Sequence, residues 1–144
     1  MDNELGPQSA GEISKMLLWP NPHCIDKLVL SNLRVTSYAM AMILSSLKGN
    51  RKLSIFEIEK IPLNNAKNFE YLCSFLKANK SIKVLKLSWV NFLPMQIIEV
   101  MNIVKRRKTI HFLDLSYNNM APEPRHKSLI RTFINVMRRF ILRT

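Results

Sequence analysis

The chain has 144 residues, a length that suits one domain with a buried core, and its 47% hydrophobic and 22% charged residues are typical of a folded protein. Its three glycines and 8% aromatic residues argue against a turn-rich β-sandwich or β-barrel. The formal net charge of +12 predicts attraction to a polyanion, an acidic protein or an anionic membrane surface, but it says nothing about the fold.

The N-terminal region is polar and acidic, and it does not resemble a secretory signal peptide. We expect residues 1–12 to form a disordered tail and residues 13–144 to form the domain, which would begin with an incomplete helix over residues 13–19. No stretch of the sequence approaches the roughly 20 apolar residues of a transmembrane helix. These features predict a cytoplasmic protein, with a nuclear location as the alternative.

Four segments of the chain share one pattern of apolar residues over eleven positions. Positions one, four, six and eleven are apolar in every copy, and the copies begin 28, 29 and 28 residues apart. The four segments begin at Ile25, Leu53, Ile82 and Ile110. Such regular spacing predicts a repeat architecture, because stacked units bury faces that one unit alone would leave exposed.

Each copy combines a run of residues that alternate between the two faces of a strand with apolar residues at helical spacing. The run from Val84 to Ser88 fits a strand with one buried face, and apolar residues at helical spacing begin about eight residues later. Helices are predicted at residues 37–48, 65–78, 95–107 and 125–142. The expected helix starts are Thr36 or Ser37, Asn64 or Asn65, and Pro94.

The repeated segment resembles the leucine-rich-repeat family, whose motif reads LxxLxLxxNxL. The fourth segment, IHFLDLSYNNM, is the best copy, because it alone carries the family's asparagine, at Asn118. The other segments have Leu33, Ile61 and Val90 there, so apolar contacts must replace the bonds of that asparagine. The period and the helical second half resemble the ribonuclease-inhibitor subtype. Over about residues 13–142 the resemblance implies a right-handed α/β solenoid of about four repeats with a parallel, concave sheet.

This architecture places positions three, five and seven of each segment on the open face of the sheet, because side chains alternate along a strand. Ile55, Val84 and Phe112 are expected to form an apolar stripe there. Trp89 and Tyr117 are expected near one end of the stripe, and aromatic residues dominate binding hot spots. With three charged residues that would set the partner's register, the predicted partner-binding residues are Ile55, Glu57, Val84, Lys86, Trp89, Phe112, Asp114 and Tyr117.

The apolar stripe is also compatible with two structures that involve no partner protein. A flanking segment, such as the N-terminal tail, or a second copy of the chain could cover it. Ordinary scatter of apolar residues over a protein surface is the second alternative.

A second candidate surface is basic. Its densest run is Lys105, Arg106, Arg107 and Lys108, at the end of the third predicted helix, and earlier repeats carry Lys48, Arg51, Lys52, Lys77 and Lys80 at the equivalent place. In a repeat architecture these helix ends would stack, and their basic residues would form one edge of the protein. A solvated edge that compensates helix dipoles explains the charges without a ligand. The alternatives are a nuclear-localisation signal and a contact with nucleic acid, phospholipid or an acidic partner, although the lack of interleaved aromatic residues argues against single-stranded nucleic acid.

The last predicted helix is also basic and amphipathic. Taken alone, it could lie on a membrane surface or bind calmodulin, but in a repeat series its apolar face is more simply the core of the fourth unit.

The sequence gives little support for catalysis. None of its three histidines pairs with a nucleophile at a recognised spacing, and Cys24 and Cys73, 49 residues apart, match no metal-ligand spacing. We therefore expect no enzyme activity, cofactor, metal or small-molecule substrate. The predicted function is protein binding through the sheet face. The alternative is a basic structural or adaptor subunit of a nucleic-acid- or membrane-associated assembly, which the open sheet edge after the fourth strand also suggests.

Overall fold

The structure, a computed structural model, describes residues 4–18 and 25–119 of the chain. In chain order, its elements are β1 (Glu4–Leu5), α1 (Pro7–Leu18), β2 (Lys27–Ser31), β3 (Arg34–Val35), α2 (Ser37–Gly49), β4 (Ile55–Glu59), α3 (Ala66–Ala78), β5 (Val84–Ser88), α4 (Pro94–Arg106) and β6 (Phe112–Asp114). The predicted α/β class with parallel strands is confirmed. The predicted helix over residues 125–142 lies outside the described residues.

Four strands form one parallel sheet in the order β2-β4-β5-β6. Its register aligns Lys27, Ile55, Val84 and Phe112, so equivalent positions of the four sequence segments lie side by side. Beyond each strand, the backbone N–H of position eight donates to the carbonyl of position seven in the next segment. These bonds run from Asn32 to Glu59, from Lys60 to Ser88 and from Trp89 to Ser116, at 3.0–3.2 Å.

Residues 4–12 form secondary structure, whereas the sequence predicted a disordered tail over residues 1–12. Strand β1 pairs in parallel with β3, and α1 begins at Pro7, six residues before the predicted helix start. The physical reason is burial, because α1 packs against α2 and places Ala10 and Leu17 in the core. The exposed polar residues on the other side of α1 hide this pattern in the sequence.

The next three helices begin where their capping residues predict. The Thr36 hydroxyl accepts the N–H of Ala39 at 3.2 Å, and the Asn65 side chain accepts the N–H of Asn68 at 2.9 Å. Each bond satisfies a backbone donor that the first turn of a helix leaves free. Pro94 is the first residue of α4, where its missing N–H costs nothing.

The core lies between the helices and one face of the four-stranded sheet. Burial alternates along β4 and β5, so positions four and six, such as Phe56 and Ile58, point into the core. The Phe56 ring meets Phe75 of α3 edge to face, with centroids 5.4 Å apart. Because the helices cover this face, positions three, five and seven are left on the other one.

Asn118 forms hydrogen bonds to the backbone of the preceding segment. Its amide nitrogen donates to the Leu87 carbonyl at 2.7 Å, and its oxygen accepts the N–H groups of Val90 and Phe92 at 3.2 and 3.1 Å. At the same position of earlier segments, Ile61 and Val90 are buried. Ile61 and Val90 therefore pack in the core at this position, and Leu33 of the first segment is partly buried against it.

A second set of asparagines was not predicted. Asn50 and Asn79, the helix-end asparagines, follow α2 and α3 and are buried. Asn79 donates to the carbonyls of Leu47 and Asn50 at 2.9 and 2.7 Å, while its oxygen accepts the N–H of Ile82 at 3.1 Å. Each asparagine therefore ties a helix end both to the preceding helix and to the start of the next strand segment. The only signal in the sequence is their common place, three residues before position one.

Arg107 occupies this place in the following repeat. Its guanidinium donates to the Lys77 carbonyl at 2.9 Å, which keeps the link to the preceding helix end. It offers no acceptor, and among the described residues the buried hydroxyl of Thr109 has no hydrogen-bond partner, whereas Ser81 at the equivalent position bonds to the oxygen of Asn79 at 3.1 Å. A cation thus replaces a neutral residue at this helix end.

Candidate functional site

The exposed sheet face consists of positions three, five, seven and eight of the four segments. Its residues are Lys27, Val29, Ser31, Asn32, Ile55, Glu57, Glu59, Lys60, Val84, Lys86, Ser88, Trp89, Phe112, Asp114, Ser116 and Tyr117. Residues 4–18 do not cover it, because they pack against α2 and β3. The hypothesis that the described part of the N-terminal segment covers the stripe is therefore wrong.

The apolar stripe forms as predicted at position three. Ile55, Val84 and Phe112 are register neighbours on β4, β5 and β6. Ile55 and Val84 are half-buried, whereas Phe112 is 50% exposed and forms the most accessible end. A partner that covered the Phe112 ring would remove the largest apolar area of this stripe from water.

The charged residues at position five are paired within the chain. The Glu57 carboxylate lies 3.4 Å from the Lys27 ammonium and 3.1 Å from that of Lys86. Asp114 accepts both the N–H and the hydroxyl of Ser116, at 2.8 and 2.6 Å. The charges predicted to set the partner's register therefore already have internal partners. Partly exposed ion pairs of this kind contribute at most about 1 kcal/mol to stability, so charged groups of a partner can replace one member of each pair at little cost.

Trp89 and Tyr117 form an aromatic stack at position eight. Their ring centroids are 4.6 Å apart with planes inclined by 14°, and the side chains are 46% and 69% exposed. Both residues have positive φ, 55° and 58°, as do Asn32 and Lys60 at the same position of the earlier segments. The turn that follows each strand therefore fixes where these rings leave the backbone, so the stack is already formed before any partner binds.

The stripe and the stack are two patches rather than one surface. Positions three and eight are five residue steps apart, which corresponds to about 16 Å of extended backbone. The charged and hydroxyl-bearing side chains of positions five and seven, such as Glu57 and Ser88, lie between them. The stripe lies at the amino-terminal ends of β4, β5 and β6, and the stack follows the carboxyl ends of β5 and β6.

The basic edge consists of Lys48, Arg51, Lys52, Lys77, Lys80, Lys105, Arg106, Arg107 and Lys108. The bond from Arg107 to the Lys77 carbonyl brings the ends of α3 and α4 together, and Asn79 does the same for α2 and α3. The ends of these three helices therefore lie side by side. The Lys77 ammonium lies 3.8 Å from the Glu99 carboxylate.

The described residues contain no group of three or more His, Cys, Asp and Glu side chains that could hold a metal ion. His111 is exposed, whereas His23, Cys24 and His126 lie outside the described ranges. Over residues 4–18 and 25–119, every helix is too short or too polar to cross a membrane.

Cys73 is buried in α3 as a free thiol. Burial raises the pKa of the Cys73 thiol to about 12, and the neighbouring Glu99 carboxylate acts in the same direction. Because the thiolate is the nucleophile, this cysteine is unsuited to catalysis. In a Cys24→Ser background, we expect a thiol reagent at pH 8 to modify Cys73 at least about 100-fold more slowly in the native chain than in urea. Rates within tenfold of each other would contradict this assignment.

Comparison with known proteins assigns no family to the chain. No family model matches it, and no curated protein matches it. The function is therefore inferred from the exposed sheet face and the basic edge.

Proposed function

We propose that the chain is a non-catalytic module of the leucine-rich-repeat type, a right-handed solenoid that binds another protein through its exposed sheet face. The observation that carries this proposal is the pair of exposed apolar patches, the stripe at position three and the stack at position eight. Support for the solenoid comes from the shared register of four parallel strands, the packing of each helix on the next, and the bonds of Asn118.

A protein fits this face better than a small molecule does. Ligand pockets are concave and enclose most of their ligand, whereas these two patches lie about 16 Å apart on an open sheet. A protein surface can reach both patches at once. Tryptophan and tyrosine are also the residues that most often carry binding energy in protein interfaces.

The charge balance of the face predicts how binding responds to salt. Three carboxylates and three ammonium groups occupy it, and Glu57 is paired with Lys27 and Lys86. An interface that buries the apolar stripe and the aromatic stack should therefore depend little on ionic strength.

A double variant tests this site. With Trp89→Ala and Phe112→Ala together, we expect at least tenfold weaker binding to the partner, because the exposed ring of each patch is lost. Quantitative affinity capture with wild-type chain would identify the partner, and titration calorimetry with the purified partner would give Kd for each variant.

The matched control replaces exposed apolar residues away from the sheet. Tyr38 of α2 and Met95 of α4 are at least as exposed as Trp89, so the Tyr38→Ala/Met95→Ala variant removes comparable apolar area. It should bind within about twofold of wild type, since it leaves both patches intact. Equal loss of binding in both variants, or none in the Trp89/Phe112 variant, would reject the exposed sheet face as the site.

A further inference from the structure

We propose that the basic edge binds the phosphate backbone of a double-stranded nucleic acid, independently of the exposed sheet face. The edge joins nine cationic side chains at the ends of three adjacent helices. Lys77 pairs with the Glu99 carboxylate, and Lys105 also has an interaction partner, so the excess positive charge comes from the other cations of the edge. The basic edge is therefore strongly positive, and none of its residues belongs to the exposed sheet face.

Compensation of the helix dipoles does not account for this much charge. The C-terminus of a helix carries the equivalent of about −0.5 elementary charge, so three helix ends need only one or two cations. One carbonyl at each of two ends is already satisfied, that of Leu47 by Asn79 and that of Lys77 by Arg107, which is itself one of the nine cations. Most of the nine cations are therefore in excess of what the fold requires.

The helix-end bonds give the edge a linear layout. Packed helices lie about 8–10 Å apart, so the ends of α2, α3 and α4 span roughly 20 Å. A nucleic-acid duplex carries one negative charge per about 1.7 Å of its axis, which places about twelve phosphates along that length. Several cations of the edge can thus face phosphates at the same time without any bending of the duplex.

A duplex fits the edge better than a single strand or a membrane. Single-strand binding uses several exposed aromatic rings as stacking platforms, whereas the ring in contact with a cation of the edge is that of Tyr71, whose centroid lies 5.8 Å from the Lys48 ammonium. Insertion into a membrane surface needs exposed apolar side chains between the cations. Exposed large apolar side chains lie near the α2 end, where Leu18 is beside Gly49, but none of the described chain lies within residues 77–80 or 105–108.

The test uses two variants of the full chain with the same change in net charge. The edge variant carries Lys80→Glu, Arg106→Glu and Lys108→Glu, and the control variant carries Lys60→Glu, Lys67→Glu and Lys83→Glu on other surfaces. All six side chains are exposed, so neither variant disturbs the core. Fluorescence anisotropy would measure binding to DNA and RNA duplexes of about 24 base pairs, and sedimentation would measure binding to phosphatidylserine vesicles.

We expect wild type to bind duplexes with an affinity that falls steeply between about 50 and 200 mM salt. The edge variant should bind at least about tenfold more weakly, with a salt dependence reduced by two or three phosphate contacts, while the control variant stays within about threefold of wild type. Comparison of the affinities for DNA and RNA duplexes shows whether binding depends on the sugar of the backbone. No duplex binding at low salt, equal losses in both variants, or edge-dependent binding to vesicles alone would overturn the proposal.

Discussion

Replacement of Asn79 by alanine is expected to lower the free energy of unfolding by about 4 kcal/mol. The side chain is 2% exposed, and its amide nitrogen satisfies the carbonyls of Leu47 and Asn50. Its oxygen accepts the N–H groups of Ser81 and Ile82. Alanine leaves these groups without their partner in a site from which water is largely excluded, and each buried unsatisfied polar group costs about 1–3 kcal/mol.

Urea denaturation followed by circular dichroism measures this effect, and Asn102→Ala supplies the control. Asn102 lies on the exposed side of α4, where alanine is a better helix former, so its replacement should change stability by no more than about 0.7 kcal/mol. A loss below about 1 kcal/mol for Asn79→Ala would show that the helix-end asparagines are not essential links between repeats.

Replacement of Phe56 by alanine is expected to cost about 4 kcal/mol of stability, since large-to-small changes of buried phenylalanine cost about 3–5 kcal/mol. The Phe56 ring is fully buried and packs edge to face on Phe75 at 5.4 Å, which links β4 to α3. Its strand also carries Ile55 and Glu57 on the opposite face. The cavity left by alanine would therefore also loosen the strand that supports the exposed sheet face.

The control for Phe56 is the same chemical change on the other side of the sheet. Phe112 is half exposed, so Phe112→Ala should lower the unfolding free energy by less than about 1.5 kcal/mol, because it removes little packing and leaves no closed cavity. Similar losses for the two variants would mean that Phe112 is packed more tightly than its exposure indicates. The same urea denaturation, applied to the Trp89→Ala/Phe112→Ala variant, tests whether the binding variant is folded.

The register of the sheet could be predicted from the sequence because it follows from a period. Apolar positions that recur every 28 or 29 residues must meet in one core, and this aligns Ile55 with Val84 and Phe112. The helix starts at Thr36 and Asn65 were also predictable, since a cap acts within three residues of the chain.

Other features depend on contacts that no local pattern reveals. The bond from Asn79 to Leu47 joins residues 32 apart, and asparagine at that point of the sequence is equally typical of a loop. The early start of α1 depends on packing against α2 through Ala10, a residue that carries little hydrophobic signal.

The positive φ angles at position eight have a consequence for how this surface could change. Left-handed backbone costs a residue with a side chain roughly 1–2 kcal/mol, and glycine avoids that cost. Trp89 and Tyr117 adopt it at 55° and 58°, and among the described residues no glycine does. Substitutions that improve folding would tend to replace these rings and abolish the stack. At these two positions, stability and the proposed recognition therefore favour different residues, and a stabilised version of the chain should keep both Trp89 and Tyr117.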